Sequence, residues 1–206
     1  MSKIKVIVFD FDGVLVDSED LKRQTMKEIF MEFGEEFAQD VFEYQEETNM
    51  NRYDVADYAA WKLGKKQDWA DEYADKYTEI VKEKIVKMPC SITCESALLK
   101  LVKRYPLYIS SGTPEKDLND IVVAKTMRHL FKGVYGSPFT KIAHFSKIIE
   151  KEKVEPEEIL FIGDMERDFF VANHFGLDFL AINYRGDRSR VVEIEKLFDI
   201  VKYLEQ

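Results

Sequence analysis

The apolar positions of this chain follow two rhythms, and the change between them divides it. Lys3-Ile4-Lys5-Val6-Ile7-Val8 is a short β-branched run with no turn residue, which predicts a buried strand. Behind it, Asp17 or Ser18 is placed to cap a helix reaching about Phe33, with Leu21, Met26, Ile29, Phe30 and Phe33 on its apolar side. From Glu35 to Met88 the pattern stays helical, with breaks near Thr48-Asn49-Met50-Asn51 and at Leu63-Gly64, so an insert of about four helices is expected. Its aromatic residues, Phe37, Tyr53, Tyr58, Trp61, Trp69 and Tyr73 among them, predict a small helical core.

From Pro89 onward short apolar strands alternate with helices. Strands are expected at Leu107–Ser110, Gly133–Gly136, Glu158–Ile162 and Phe179–Ile182. Helices are expected near Cys94–Arg104, Pro114–Met127, Thr140–Lys153, Arg167–Phe175 and Val191–Leu204. Strands separated by helices predict an α/β core, a Rossmann-like parallel sheet with right-handed crossovers. The expected division is residues 1–16 and 89–206 for that core and 17–88 for the all-helical insert.

Composition narrows the function classes. A chain of 206 residues, 46% hydrophobic and 33% charged, reads as globular. Its formal charge of −9, with no basic run interleaved with aromatics, argues against nucleic acid as a partner. The first apolar run is short and cut by Asp10, so no signal peptide is expected, and no segment approaches the length of a membrane span. Cys90 and Cys94 have neither zinc nor C-x-x-C redox spacing, and as reduced thiols they suit the cytoplasm. His129, His144 and His174 form no metal-binding pattern and read as structural or surface residues.

Chemistry concentrates where strands end. Asp10 and Asp12 stand at the tip of the first strand, spaced so that an extended backbone sends both carboxylates to one side, and Gly13 then breaks the pattern. In open α/β sheets, ligands bind beyond the carboxyl ends of the strands. Ser111 and the following backbone N–H groups, at Gly112 and near the next helix start, offer an anion site. Lys141 opens a helix after the third strand. Gly163 permits a sharp exit from the fourth, Asp164 lies at its tip, and Asp168 faces back from one turn into the helix. Four carboxylates converging on one crevice call for a hard divalent cation with oxygen ligands, Mg²⁺ first among them.

The order Asp-x-Asp-Gly, Ser, Lys, Gly-Asp-x-x-x-Asp on successive strand tips resembles the haloacid dehalogenase superfamily over essentially the whole chain. The resemblance implies a helical cap inserted after the first motif and a covalent phosphoaspartyl mechanism. Asp10 is then the nucleophile, Asp12 the acid and base, and Ser111 and Lys141 hold the phosphoryl oxygens. Mg²⁺ is assigned to Asp10, the main-chain carbonyl of Asp12 and Asp164, with Asp168 in support. Asp12 argues against the dehalogenase branch, which lacks this second acid, and Phe11-Asp12-Gly13 does not match the phosphonatases. The β-phosphoglucomutases come nearer, but their fourth motif reads Glu-Asp where this chain has Gly163-Asp164. The expected activity is therefore a Mg²⁺-dependent phosphatase acting on a small-molecule phosphate ester; a phosphomutase, or a binding protein on the same fold, is the alternative. Many relatives place Pro after the lysine, where Ile142 stands here. Asn49-Met50-Asn51-Arg52 is similar to the family's specificity loop, which makes Arg52 a candidate substrate contact.

Overall fold

The structure is a computed structural model that describes residues 3–48, 50–91 and 93–205. The chain divides into two compact units, Met1–Asp17 with Met88–Gln206, and Ser18–Lys87.

The first unit is built on a parallel sheet of six strands in the order β3-β2-β1-β4-β5-β6. These are β1 (Val6–Phe9), β2 (Leu107–Pro114), β3 (Gly133–Ser137), β4 (Ile159–Met165), β5 (Asp178–Arg185) and β6 (Val192–Ile194). The helices of this unit, α5 (Cys94–Leu101), α6 (Glu115–Ala124), α7 (Lys141–Glu152), α8 (Glu166–Phe175) and α9 (Asp199–Leu204), alternate with the strands. Because both faces of a parallel sheet are covered, its central strands are apolar throughout, and all four residues of β1 are buried. Val8 pairs with Tyr108 on one side and Phe161 on the other. On one face Val6, Val8, Tyr108, Phe145, Ile148 and Phe161 pack into a continuous core. The switch in strand order flanking β1 puts the carboxyl ends of β2, β1 and β4 side by side, which is where an α/β sheet holds its ligands.

One element differs in kind from the pattern. The stretch read as a helix from Val191 to Leu204 follows a 3₁₀ turn (Arg188–Arg190) and holds the strand β6 and only then the short helix α9. Three residues are too few to show a period, and β6 exists because β5 offers an edge: Leu180 pairs with Val192 and Ile182 with Ile194. Three strands also run further than their apolar cores, β2 to Pro114, β4 to Met165 and β5 to Arg185.

The second unit is helical: α1 (Glu19–Phe30), a 3₁₀ turn (Met31–Phe33), α2 (Glu35–Thr48), α3 (Arg52–Leu63) and α4 (Gln67–Lys87). Ser18 holds the N-cap position of α1 without a side-chain capping bond. Gly64, at φ +64°, ends α3 in the left-handed conformation that terminates helices. Phe30 stacks on Tyr73 at 5.6 Å and Tyr73 on Trp69 at 4.1 Å, so these aromatics form the expected core. Trp61 is 73% exposed and Tyr53 is also exposed; both stand outside it. Between α3 and α4, Ala56, Ala60, Ala70 and Ala74 let the helices approach closely. Among the described residues, no helix is long and apolar enough to cross a membrane.

Candidate active site

Asp10 continues the sheet one residue beyond β1, its N–H donating to Ile162 O at 2.9 Å. The chain then turns tightly: the N–H groups of Leu15 and Val16 both donate to Phe11 O, and that of Gly13 donates to Val16 O. Phe11, Val14, Leu15 and Val16 are fully buried, which anchors the turn. Gly13 has φ +75°, and a Cβ there would lie 2.1 Å from Asp164 Oδ2. Only glycine allows both that conformation and that approach.

The carboxylates of Asp10, Asp164 and Asp168, all buried, each offer an oxygen within 4.8 Å of the others. Asp12 is not in this set. The chain bends at Phe11, so Asp12 sits in the turn, and its Oδ2 accepts from Thr113 Oγ1 at 2.8 Å. The expected convergence of four carboxylates is thus a convergence of three with the fourth turned toward β2. Asp168 is held by its own helix start, Oδ2 accepting from Met165 N–H at 3.2 Å. The reason for Gly163 also differs from the expected sharp exit. The strand runs on to Met165, and a Cβ on Gly163 would meet Asp168 Cβ at 2.6 Å.

Lys141, the first residue of α7, reaches into this cluster with a side chain only 11% exposed. Its Nζ is 2.5 Å from Asp10 Oδ2 and 2.5 Å from Asp168 Oδ1. Thr140 caps the helix by accepting from Ala143 N–H at 3.3 Å. One turn on, His144 is buried, with Nε2 3.2 Å from Gly136 O and Nδ1 2.9 Å from Ser110 Oγ. A carbonyl only accepts, so Nε2 carries the proton and Nδ1 accepts from the serine hydroxyl. Burial lowers the imidazole pKa and favours this neutral form. His144 therefore clamps α7 to the ends of β2 and β3 and fixes where Lys141 starts.

Burial raises the Asp10 carboxyl from 3.8 to about 7; Asp168 and Asp12 push the same way, and Lys141 opposes them. Burial also disfavours the Lys141 ammonium, but Asp10 and Asp168 outweigh it and hold its pKa above the ordinary lysine value. Lys141 bonds two of the three buried carboxylates, Asp10 and Asp168, and Asp164 stands close to both. That all-oxygen donor set fits a hard divalent cation.

Ser111 is buried at the end of β2, its Oγ accepting from Thr113 N–H at 3.1 Å, and Gly112 beside it has open space around its Cβ position. Pro114 precedes α6 instead of opening it. Arg52 lies in the helical unit, at the start of α3. Asn51 caps that helix by accepting from the N–H groups of Tyr53 and Asp54. The Arg52 guanidinium sits 4.6 Å from the Tyr53 ring centroid, and its buried Nε has no hydrogen-bond partner among the described residues. Asn49, part of the expected specificity loop, falls outside the described residues.

Two residues that the pattern did not single out shape the site. Thr113 orients Asp12, and Asn183 donates from Nδ2 to Gly13 O at 3.2 Å, holding the turn from the tip of β5. Both stand at strand ends on the functional edge of the sheet, and that position was the signal available in the sequence.

Residues 7–182 match the family model described as haloacid dehalogenase-like hydrolase. No curated protein matches the chain. Among solved structures, a predicted phosphoglycolate phosphatase from Haemophilus somnus superposes with a TM-score of 0.78 at 22% identity, covering 98% of this chain and 99% of that one. A HAD-hydrolase from Bacillus subtilis bound to magnesium gives 0.74 at 17%, with coverage of 98% and 99%. A Thermotoga maritima protein assigned as a β-phosphoglucomutase gives 0.76 at 15%, again covering 98% and 99%. At these identities the likeness shows a shared fold.

Proposed function

The chain belongs to the haloacid dehalogenase-like hydrolase family, and on that premise we propose that it is a Mg²⁺-dependent phosphatase of small phosphorylated metabolites. The observation that carries this reading is Lys141, bonded to both Asp10 and Asp168 beside Asp164. In this reading Asp10 attacks phosphorus and carries the phosphoryl group as an aspartyl phosphate. Ser111, Lys141 and the N–H of Gly112 bind the phosphoryl oxygens and stabilise the charge that spreads over them. Asp12, oriented by Thr113, protonates the leaving oxygen and then takes a proton from the attacking water. Asp10, Asp164, Asp168 and the main-chain carbonyl of Asp12 would hold Mg²⁺. When bound, the ion supplies positive charge that offsets repulsion between carboxylate and phosphate and favours the ionised form of Asp10.

The helical unit acts as the cap in this reading, and Arg52 reads the leaving group, a sugar or a small hydroxy acid. The two free thiols favour a cytoplasmic setting. The phosphatase reading is preferred to the mutase because Gly163 stands where the mutases' fourth motif typically carries glutamate, and the packing of Asp168 against Gly163 fits that glycine.

The test is phosphate release from a panel of phosphorylated sugars, hydroxy acids and an aryl phosphate. Chelation with EDTA should abolish turnover and Mg²⁺ restore it; full activity in chelator would sink the metal assignment. On the same panel Arg52→Ala should lose about tenfold in kcat/KM for the preferred substrate, the worth of one charge-assisted hydrogen bond. The aryl phosphate should be unaffected, and equal losses on both would remove Arg52 from recognition.

A further inference from the structure

The tip of β5 departs from a regular strand where it reaches the turn that follows Asp10. Gly163 pairs with Ala181 and Met165 with Arg185, so β4 advances two residues while β5 advances four. Asn183 lies inside this bulge. A bulge bends its strand and re-aims a side chain, and bulges gather beside functional sites. The backbone of Asn183 is also left-handed, with φ +50°. Asparagine enters that region more readily than most residues, but the conformation still carries strain. Ile182 and Tyr184 on either side are buried, while Asn183 is exposed. Packing of the Asn183 side chain therefore does not account for the distortion.

The distortion delivers a hydrogen bond to the turn. Asn183 Nδ2 donates to Gly13 O at 3.2 Å, and because a carbonyl only accepts, the amide nitrogen has to face it. The Gly13 N–H is held as well, donating to Val16 O at 2.8 Å. Both main-chain polar groups of Gly13 are thus tied, which fixes its left-handed φ of +75°. Two neighbouring groups depend on that conformation. Asp164 Oδ2 occupies the space where a Cβ on Gly13 would stand. The Asp12 carbonyl shares one planar peptide group with the Gly13 N–H. A rotation at Gly13 would shift the backbone under the first and turn the second.

We propose that Asn183 is a positioning residue for the metal centre: it locks Gly13 in the left-handed conformation and so keeps the Asp12 carbonyl and the Asp164 carboxylate placed to bind Mg²⁺. The part played by Mg²⁺ rests on the phosphatase reading, whereas the lock on Gly13 does not. Asn183 acts through Gly13 alone. Outer residues that orient metal ligands contribute about 10–100-fold to affinity, and this single hydrogen bond acts in that way.

Two substitutions separate the hydrogen bond from the backbone. Asn183→Gly removes the donor and leaves the positive φ free of strain, whereas Asn183→Ala removes the donor and disfavours the conformation too. The full chain, stripped of metal, is titrated with magnesium chloride in a calorimeter. Asn183→Gly should bind with a Kd at least about tenfold above the wild type, and Asn183→Ala no more tightly than Asn183→Gly. In EDTA, amide hydrogen exchange at residues 13–16 should be faster in both variants, with exchange in β1 unchanged. A purely structural role would lower the unfolding midpoint and leave the Mg²⁺ affinity of the folded protein as it was. Wild-type affinity in Asn183→Gly would overturn the positioning role, even with Asn183→Ala weakened, because backbone conformation would then be the cause. Unchanged exchange in EDTA would overturn the lock. A wild type that binds no Mg²⁺ would sink the metal assignment and the affinity role with it, while exchange still decides the lock. Should Asn183→Ala fail to fold, Asn183→Gly decides alone.

Discussion

Lysines meet carboxylates in both units, under opposite conditions. In the sheet unit Lys141 is only 11% exposed between Asp10 and Asp168, which are 4% and 0% exposed. In the helical unit Lys62 meets Asp40, Lys76 meets Glu32 and Lys84 meets Glu28, every partner about a third or more open to water. Water screens the second set, and such pairs contribute little to stability. The buried set pays its desolvation through close opposite charge, and breaking it leaves an uncompensated carboxylate. The packing differs in the same sense. The sheet core is filled by large residues such as Tyr108, Phe145 and Phe161, whereas α3 and α4 meet through alanines. A unit that stores buried charge needs a rigid surround; the helical unit holds together by small-residue contacts and aromatic stacking.

The largest effect should come from exchanging one lysine in each unit for methionine. Lys141→Met should abolish turnover and destabilise the metal-free protein, by about 3–5 kcal/mol if the carboxylates stay ionised and less as they take up protons. Lys62→Met should leave both activity and the unfolding midpoint unchanged. A similar response from the two variants, in paired melting and rate measurements, would erase the contrast.

Glycines sharpen it next. Gly13 and Gly64 both have positive φ, +75° and +64°, but only Gly13 faces a side chain, with Asp164 Oδ2 2.1 Å from its Cβ position. Gly64→Ala should cost about 1 kcal/mol of conformational strain and no activity. Gly13→Ala carries the same strain and also displaces Asp164, so Mg²⁺ affinity, read by titration calorimetry, should fall well beyond what stability loss explains. Unaltered affinity would mean that the turn yields instead of the carboxylate.

The third effect is a slope with pH. The folded-state pKa of Asp10 is raised from 3.8 to about 7, so its protonated form contributes stability that is fully present below pH 3.8 and lost as pH rises through about 7. In EDTA, the component of the unfolding midpoint that depends on Asp10 should fall across that window. Saturating Mg²⁺ should remove the fall, because the ion replaces the proton, and Asp10→Asn should lack it. A wild type and Asp10→Asn with parallel pH profiles in EDTA would show that burial does not hold a proton on Asp10.

The sequence by itself determined the α/β alternation, the helical stretch after the first strand and the acids that stand where strands end. These depend on local periodicity, on turn residues and on short spacings such as Asp10-x-Asp12 and Asp164-x-x-x-Asp168, all written within one or two turns of chain. Only the tertiary structure decided which groups meet. Strand β6 exists through the edge of β5. Asp12 leaves the carboxylate cluster because the chain bends at Phe11 and Thr113, 101 residues away, offers a hydroxyl. Gly163 is needed because Asp168 folds back against it, and Lys141 is charged and buried because Asp10, just past β1, and Asp168, in the first turn of α8, surround it. Apart from the approach of Asp168 to Gly163, which is close in sequence but depends on how the chain turns into α8, these are long-range contacts, and no window of local pattern contains both partners.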